Sequence, residues 1–81
     1  MEKQKRRAFH SSLTQHDGWV VLLDKTIQSK HANQVEAEAA AIAKSHAFYV
    51  AGGLGQAVLH KADGTIRAER TYGKDPENPL G

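Results

Sequence analysis

Histidine is the residue type in this chain best suited to chemistry, with five in 81 residues: His10, His16, His31, His46 and His60. A zinc site needs three or four converging ligands, commonly seeded by two histidines four apart on one helix. No pair has that spacing. His10 and His16 flank a turn and can approach each other. His46 falls on the inner stripe of a helix and His60 on the solvent side of a hairpin, so those two belong to different layers. The expectation is no metal: His46 hydrogen-bonds a backbone carbonyl or water, and His60 is a cross-strand neighbour of Arg67 and Glu69. There is no cysteine, which excludes disulfides, thiol catalysis and thiolate-bound metals. Ser11, Ser12, Ser29 and Ser45 lie in no nucleophile elbow. The carboxylates sit in turns (Asp17, Asp24, Asp63), the first helical turn (Glu36, Glu38) or the tail (Asp75, Glu77), where burial does not tune them for acid–base work. Gly52-Gly53-Leu54-Gly55 lacks the Gly-Lys-Ser/Thr ending of a phosphate loop and follows a helix instead of preceding one. No catalytic residue, cofactor or small-molecule substrate is expected, and the chain reads as a non-enzyme.

Charge points to a second class of partner. The net charge is +2, yet Lys3, Lys5, Arg6 and Arg7 against Glu2 make +3 within the first seven residues, leaving the remainder at −1. A neutral body with a basic arm can attract phosphate, aided by Lys61, Arg67 and Arg70 along the second hairpin. Asp63 and Glu69 dilute that patch, and a solvated arm is the plainer reading. The basic N-terminus is not followed by the apolar run of a signal peptide, and no stretch approaches the ~20 apolar residues that span a bilayer. The expected setting is the cytoplasm, away from membranes.

These residues need elements to hold them, and 81 residues make one domain. The expected organisation is a basic flexible arm over 1–7, a single α+β domain over 8–72 and a flexible tail over 73–81. Residues 8–13 form a weak strand leading into a turn at Asp17-Gly18. Trp19-Val20-Val21-Leu22-Leu23 is the clearest strand, with Trp19, Val21 and Leu23 on one face and Val20 and Leu22 on the other. After a polar turn at Asp24-Lys25, residues 26–31 form a weaker edge strand. Asn33 caps a helix, with Glu36 three residues on. At 100° per residue, Val35, Ala39, Ile42, His46, Tyr49 and Val50 share the stripe that should meet the sheet, with Ser45 away from it. Gly52-Gly53 ends the helix. Residues 56–61 and 66–72 then form a two-residue hairpin around Asp63-Gly64. Its register puts Ala57, Leu59, Ile66 and Ala68 toward the core, and Val58, His60, Arg67 and Glu69 toward water. The expected fold is a small antiparallel sheet of two hairpins, in the order β-β-(β)-α-β-β, with one helix on one face.

Four stretches carry a resemblance: Gly18-Trp19-Val20-Val21, the Ala-rich helix from Val35 to Ala43, the run from His60 through Asp63-Gly64 to Ile66, and Tyr72-Gly73-Lys74-Asp75-Pro76. Their order and spacing over residues 16–76 resemble a family of small bacterial proteins catalogued as domain of unknown function 2188. The resemblance implies this order of elements and brings no activity with it. Family members usually pass from helix to strand in a few residues, whereas here SHAFYVAGGLGQ intervenes between Lys44 and Ala57. Either the helix runs one or two turns longer, or an apolar loop bearing Phe48, Tyr49, Val50 and Leu54 protrudes.

The apolar excess sets the functional expectation. Residues 19–23 are apolar on both faces, and one Ala-rich helix covers only one. The remaining face is expected to be covered by a second copy, making the chain a homodimeric interaction module. The candidate surface is Trp19, Val20, Leu22, Phe48, Tyr49 and Leu54. The alternative is a nucleic-acid-binding accessory protein that uses Lys3, Lys5, Arg6, Arg7, Lys61, Arg67 and Arg70.

Overall fold

The computed structural model describes residues 6–73, and the chain is α+β as expected. The elements are β1 (Arg6–Thr14), β2 (Gly18–Leu23), β3 (Thr26–His31), α1 (Gln34–Val50), β4 (Leu54–His60) and β5 (Ile66–Tyr72). They form one five-stranded sheet in the order β3-β2-β1-β4-β5. The sheet is mixed, which corrects the expected all-antiparallel pattern: β1 and β4 run parallel, with Phe9 beside Ala57 and His10 beside Val58. The helix supplies the long crossover that parallel neighbours require. The weak third strand is a full one and forms one edge of the sheet.

Strand β1 starts at Arg6, so Arg6 and Arg7 leave the expected arm and join the sheet. The rest of that arm, with Lys3 and Lys5, and the tail from residue 74 lie outside the described residues. Arg6 donates to the carbonyls of Gly55, Tyr72 and Gly73, clamping the start of β1 to its neighbours.

Alternation places Phe9, Ser11, Val21, Leu23, Ala57, Leu59 and Ala68 on the face under the helix. Phe9, Val21, Ala41, Ala57 and Leu59 form the buried core, and Phe48 meets Phe9 edge-on at 6.4 Å. Trp19 shares this covered face and is half-buried.

The helix begins as its capping residues dictate. Asn33 accepts from the Glu36 N–H at 2.9 Å, and Glu36 reaches back to the Ala32 N–H. Its buried stripe, however, is Ala37, Ala41 and Ser45. The expected stripe of Val35, Ala39, Ile42, His46, Tyr49 and Val50 is wrong in phase: Val35 is 75% exposed and Val50 70%, and only Ile42 packs on the core. The reason is close approach. The helix lies so near β4 that a Cβ on Gly55 would run into the Ser45 carbonyl. Only small side chains fit beneath it, so size outweighs hydrophobicity in choosing the inner face.

The helix continues to Val50, which settles the long helix-to-strand passage as extra helix and not a loop. Gly52, at φ +107°, bonds back to Tyr49 and Gly53 to Phe48, the paired bonds of a Schellman ending.

The second hairpin also departs from expectation. Its loop has three residues, because Lys61 and not Ala62 meets Thr65. Only Gly64 has positive φ there. A two-residue type I′ turn needs positive φ at both centres. Asp63 instead accepts from the Thr65 N–H and hydroxyl, the local bond that favours an Asx turn. Leu59 pairs with Ala68 as predicted, but His60 pairs with Ile66, leaving Arg67 as a bulge. Consequently Ile66 leaves the core face and is 54% exposed. Arg67 turns from water to the helix, where it grips Glu38 through two hydrogen bonds. That bond holds the Glu38 carboxyl below its ordinary range.

Two buried side-chain polar atoms lack a partner among the described residues, Arg7 Nε and the Ser11 hydroxyl. Ser11 is fully buried, and its hydroxyl has no partner among the described residues. An unpaired buried hydroxyl costs about 1–3 kcal/mol. Ser11→Ala is therefore expected to stabilise the fold by about 1 kcal/mol, a rise in Tm of about 4–8 °C at this size. Thermal melting followed by circular dichroism measures it, and a lowered Tm would show that the hydroxyl is paired in solution.

Candidate functional site: the open face of the sheet

No described helix lies over the second face of the sheet. Its residues follow from the registers. One row across it reads Ile27, Leu22, His10, Val58 and Glu69. The next carries Lys30, Val20 and Ser12, continued by His60 and Ile66. Val20 and Val58 are buried even here. Leu22 and Ile27 are half-buried and Ile66 is exposed. An open cleft of about 420 Å3, lined by Arg6, Ala8, His10, Leu22, Asp24 and Lys25, lies at one end of the face.

At the centre stand two histidines. His10 Nδ1 and His60 Nε2 are 2.9 Å apart, and the ring centroids are 5.2 Å apart with 25° between the planes. That centroid separation equals the nitrogen gap plus the two ring radii, so the rings meet end to end and not face on face. A metal between them has no room. His60 Nδ1 lies 3.1 Å from the Gly64 carbonyl. A carbonyl only accepts, so His60 carries its proton on Nδ1 and presents a bare Nε2. His10 must then donate from Nδ1, which leaves its own Nε2 bare. Burial lowers the His10 pKa below the ordinary 6.5, the neighbouring His60 lowers it further, and Glu69 opposes both.

The sequence reading missed this pair because it set β1 and β4 in separate hairpins. The signal was the parity of the two strands: His10 and His60 each fall on the face away from Phe9 and Leu59. The other histidines lie elsewhere. His16 is exposed in the β1–β2 turn, His31 bonds Ser29 at 2.7 Å, and His46 lies 5.2 Å from Tyr72 in an aromatic cluster with Tyr49. No group of three or more metal-ligating side chains occurs among the described residues.

The expected interaction surface does not form one patch. Leu22 is on the open face, and Val20 is there but buried. Trp19 lies on the helix side, and Phe48 packs into the core. Tyr49 and Leu54 close around Gly73 at the far end of the helix. The expected nucleic-acid contacts do not line up either. Arg6 is held by carbonyls, Arg7 by Asp24 at 2.8 Å and Arg67 by Glu38, while Lys61 and Arg70 are exposed. No described helix is long and apolar enough to cross a membrane.

Comparison with known proteins follows the same boundaries. The model of a family described as uncharacterized proteins conserved in bacteria (DUF2188) matches residues 9–72, from the core phenylalanine of β1 to the last residue of β5. No curated protein and no solved structure matches the chain. The matched span holds nearly the whole sheet, the helix and both histidines of the central pair, and the chain belongs to the DUF2188 family.

Proposed function

We propose that the chain is a non-enzymatic interaction module that forms a homodimer through the open face of its sheet. The observation that supports this most is that one helix serves five strands, leaving Leu22, Ile27 and Ile66 on the uncovered side. The face is also self-complementary. A two-fold axis along β1 lays β2 over β4, and β3 over β5, of a second copy. Leu22 then opposes Val58, Ile27 comes over the Glu69 stem with Lys30 one row away over Ile66, and His10 opposes its own counterpart. An isologous contact of this kind is the commonest way for one chain to cover such a face.

The test is sedimentation velocity on the full chain across the low micromolar range. A dimer is expected. The double variant Ile27→Lys, Ile66→Lys changes side chains the fold leaves partly exposed, and it should be monomeric with an unchanged circular dichroism spectrum. A strictly monomeric parent chain would refute the reading. A dimer untouched by the double variant would move the interface elsewhere.

A further inference from the structure

We propose that the end-to-end His10–His60 pair makes this self-association sensitive to pH, so that the dimer holds at neutral pH and dissociates in mild acid. The inference rests on the open face being the dimer surface. Its own basis is the geometry of the pair. The hydrogen bond runs in one direction, from His10 Nδ1–H to the bare Nε2 of His60, whose Nδ1–H is committed to the Gly64 carbonyl. The first added proton has one free position, the bare Nε2 of His10. That proton charges the middle of the face, and the two-fold arrangement sets the charge against its copy.

The charged groups around the pair do not cancel this. Strand β4 brings His60 itself, β5 brings Glu69, and β3 brings Lys30, which is paired with Asp17 at 3.0 Å. The β2–β3 turn brings Lys25 and Asp24, the latter turned to Arg7. Strand β1 adds Arg6, turned to three carbonyls, and α1 lies on the other side of the sheet. Glu69 is the one anion in the His10 row, and it accepts from Gln56. Each facing surface brings only this one carboxylate to the row, and it is already engaged by Gln56.

The sign follows from linkage. The His10 pKa is already lowered in the folded single chain, and setting His10 against its copy lowers it further, so the dimer binds fewer protons than the monomer and acid favours the monomer. The reference is the folded monomer, whose His10 pKa already lies below 6.5, so the effect sets in below that value and is absent above it.

The experiment is the dimer dissociation constant of the full chain at about pH 7.5 and about pH 5, at equal ionic strength, with Trp19 fluorescence reporting the fold. The expected result is a rise in Kd of about tenfold or more in acid, with the fluorescence unchanged. His10→Gln keeps an amide donor toward His60 and removes the first site of protonation, so its Kd, whatever its value, should change between the two pH values far less than that of the parent chain. The switch is overturned by a parental Kd that does not change with pH, by the same acid loss in His10→Gln, or by dissociation seen only where Trp19 reports unfolding. In those cases the dimer itself stands. A parent chain that is monomeric at neutral pH overturns the interface and the switch together.

Discussion

Phe9→Ala is expected to leave little folded protein at physiological temperature. Phe9 is buried in the core, between Leu23 of β2 and Ala57 of β4, with Phe48 from the helix edge-on to its ring. Truncating a buried phenylalanine to alanine costs about 3–5 kcal/mol. A chain of this size has about 4–12 kcal/mol in all. The neighbours of Phe9 on the sheet, Leu23 and Ala57, are held in place by strand pairing and cannot move in to fill the space. Urea titration followed by Trp19 fluorescence measures the effect, because the chain has a single tryptophan. A loss below about 1 kcal/mol would show that Phe48 swings in to refill the space.

Gly55→Ala is expected to cost about 2–3 kcal/mol by the opposite mechanism, overpacking. The new methyl group would meet the Ser45 carbonyl, which is backbone and cannot rotate aside. Helix and strand must separate, and the buried contacts of Ala41 and Ala57 loosen with them. The same titration applies. An unchanged midpoint would mean that α1 slides along the sheet at little cost. Gly64 offers the contrast: a Cβ there meets open space, so any cost comes from its φ of +94° alone.

These two sites show what the sequence makes legible and what it hides. The strand at residues 19–23, the Asn33 cap, the glycine ending and the run of elements are written in local chemistry, and the structure has them all. The phase of the helix is not. Val35, Tyr49 and Val50 look like core residues until one knows that Gly55 has already set the helix–sheet distance. That distance is a tertiary quantity, and no window of the helix contains it.

Turn chemistry misled in a related way. Asp63-Gly64 reads as a two-residue hairpin, yet the loop has three residues and only its glycine takes positive φ. The β2–β3 connection, which has no glycine, is the one where both central residues do, Asp24 at 53° and Lys25 at 66°. The strands on either side impose it, and the Arg7–Asp24 pair helps to hold it. The candidate site was hidden for a third reason. His10 and His60 are 50 residues apart, and only the parallel pairing of β1 with β4 brings them together.

That pairing also bears on how the chain reaches its fold. The first strand made is the middle strand of the finished sheet. During synthesis β1 can pair at once with β2, but its other edge stays bare until β4 emerges, from Leu54 onward. Loop closure over that distance is slow compared with hairpin formation. The nascent chain therefore carries β1, which contains Phe9, with one bare edge until β4 is made, a template for pairing with other chains. A fragment ending before β4 keeps that edge permanently, so the second half of the protein is what protects the first from aggregation.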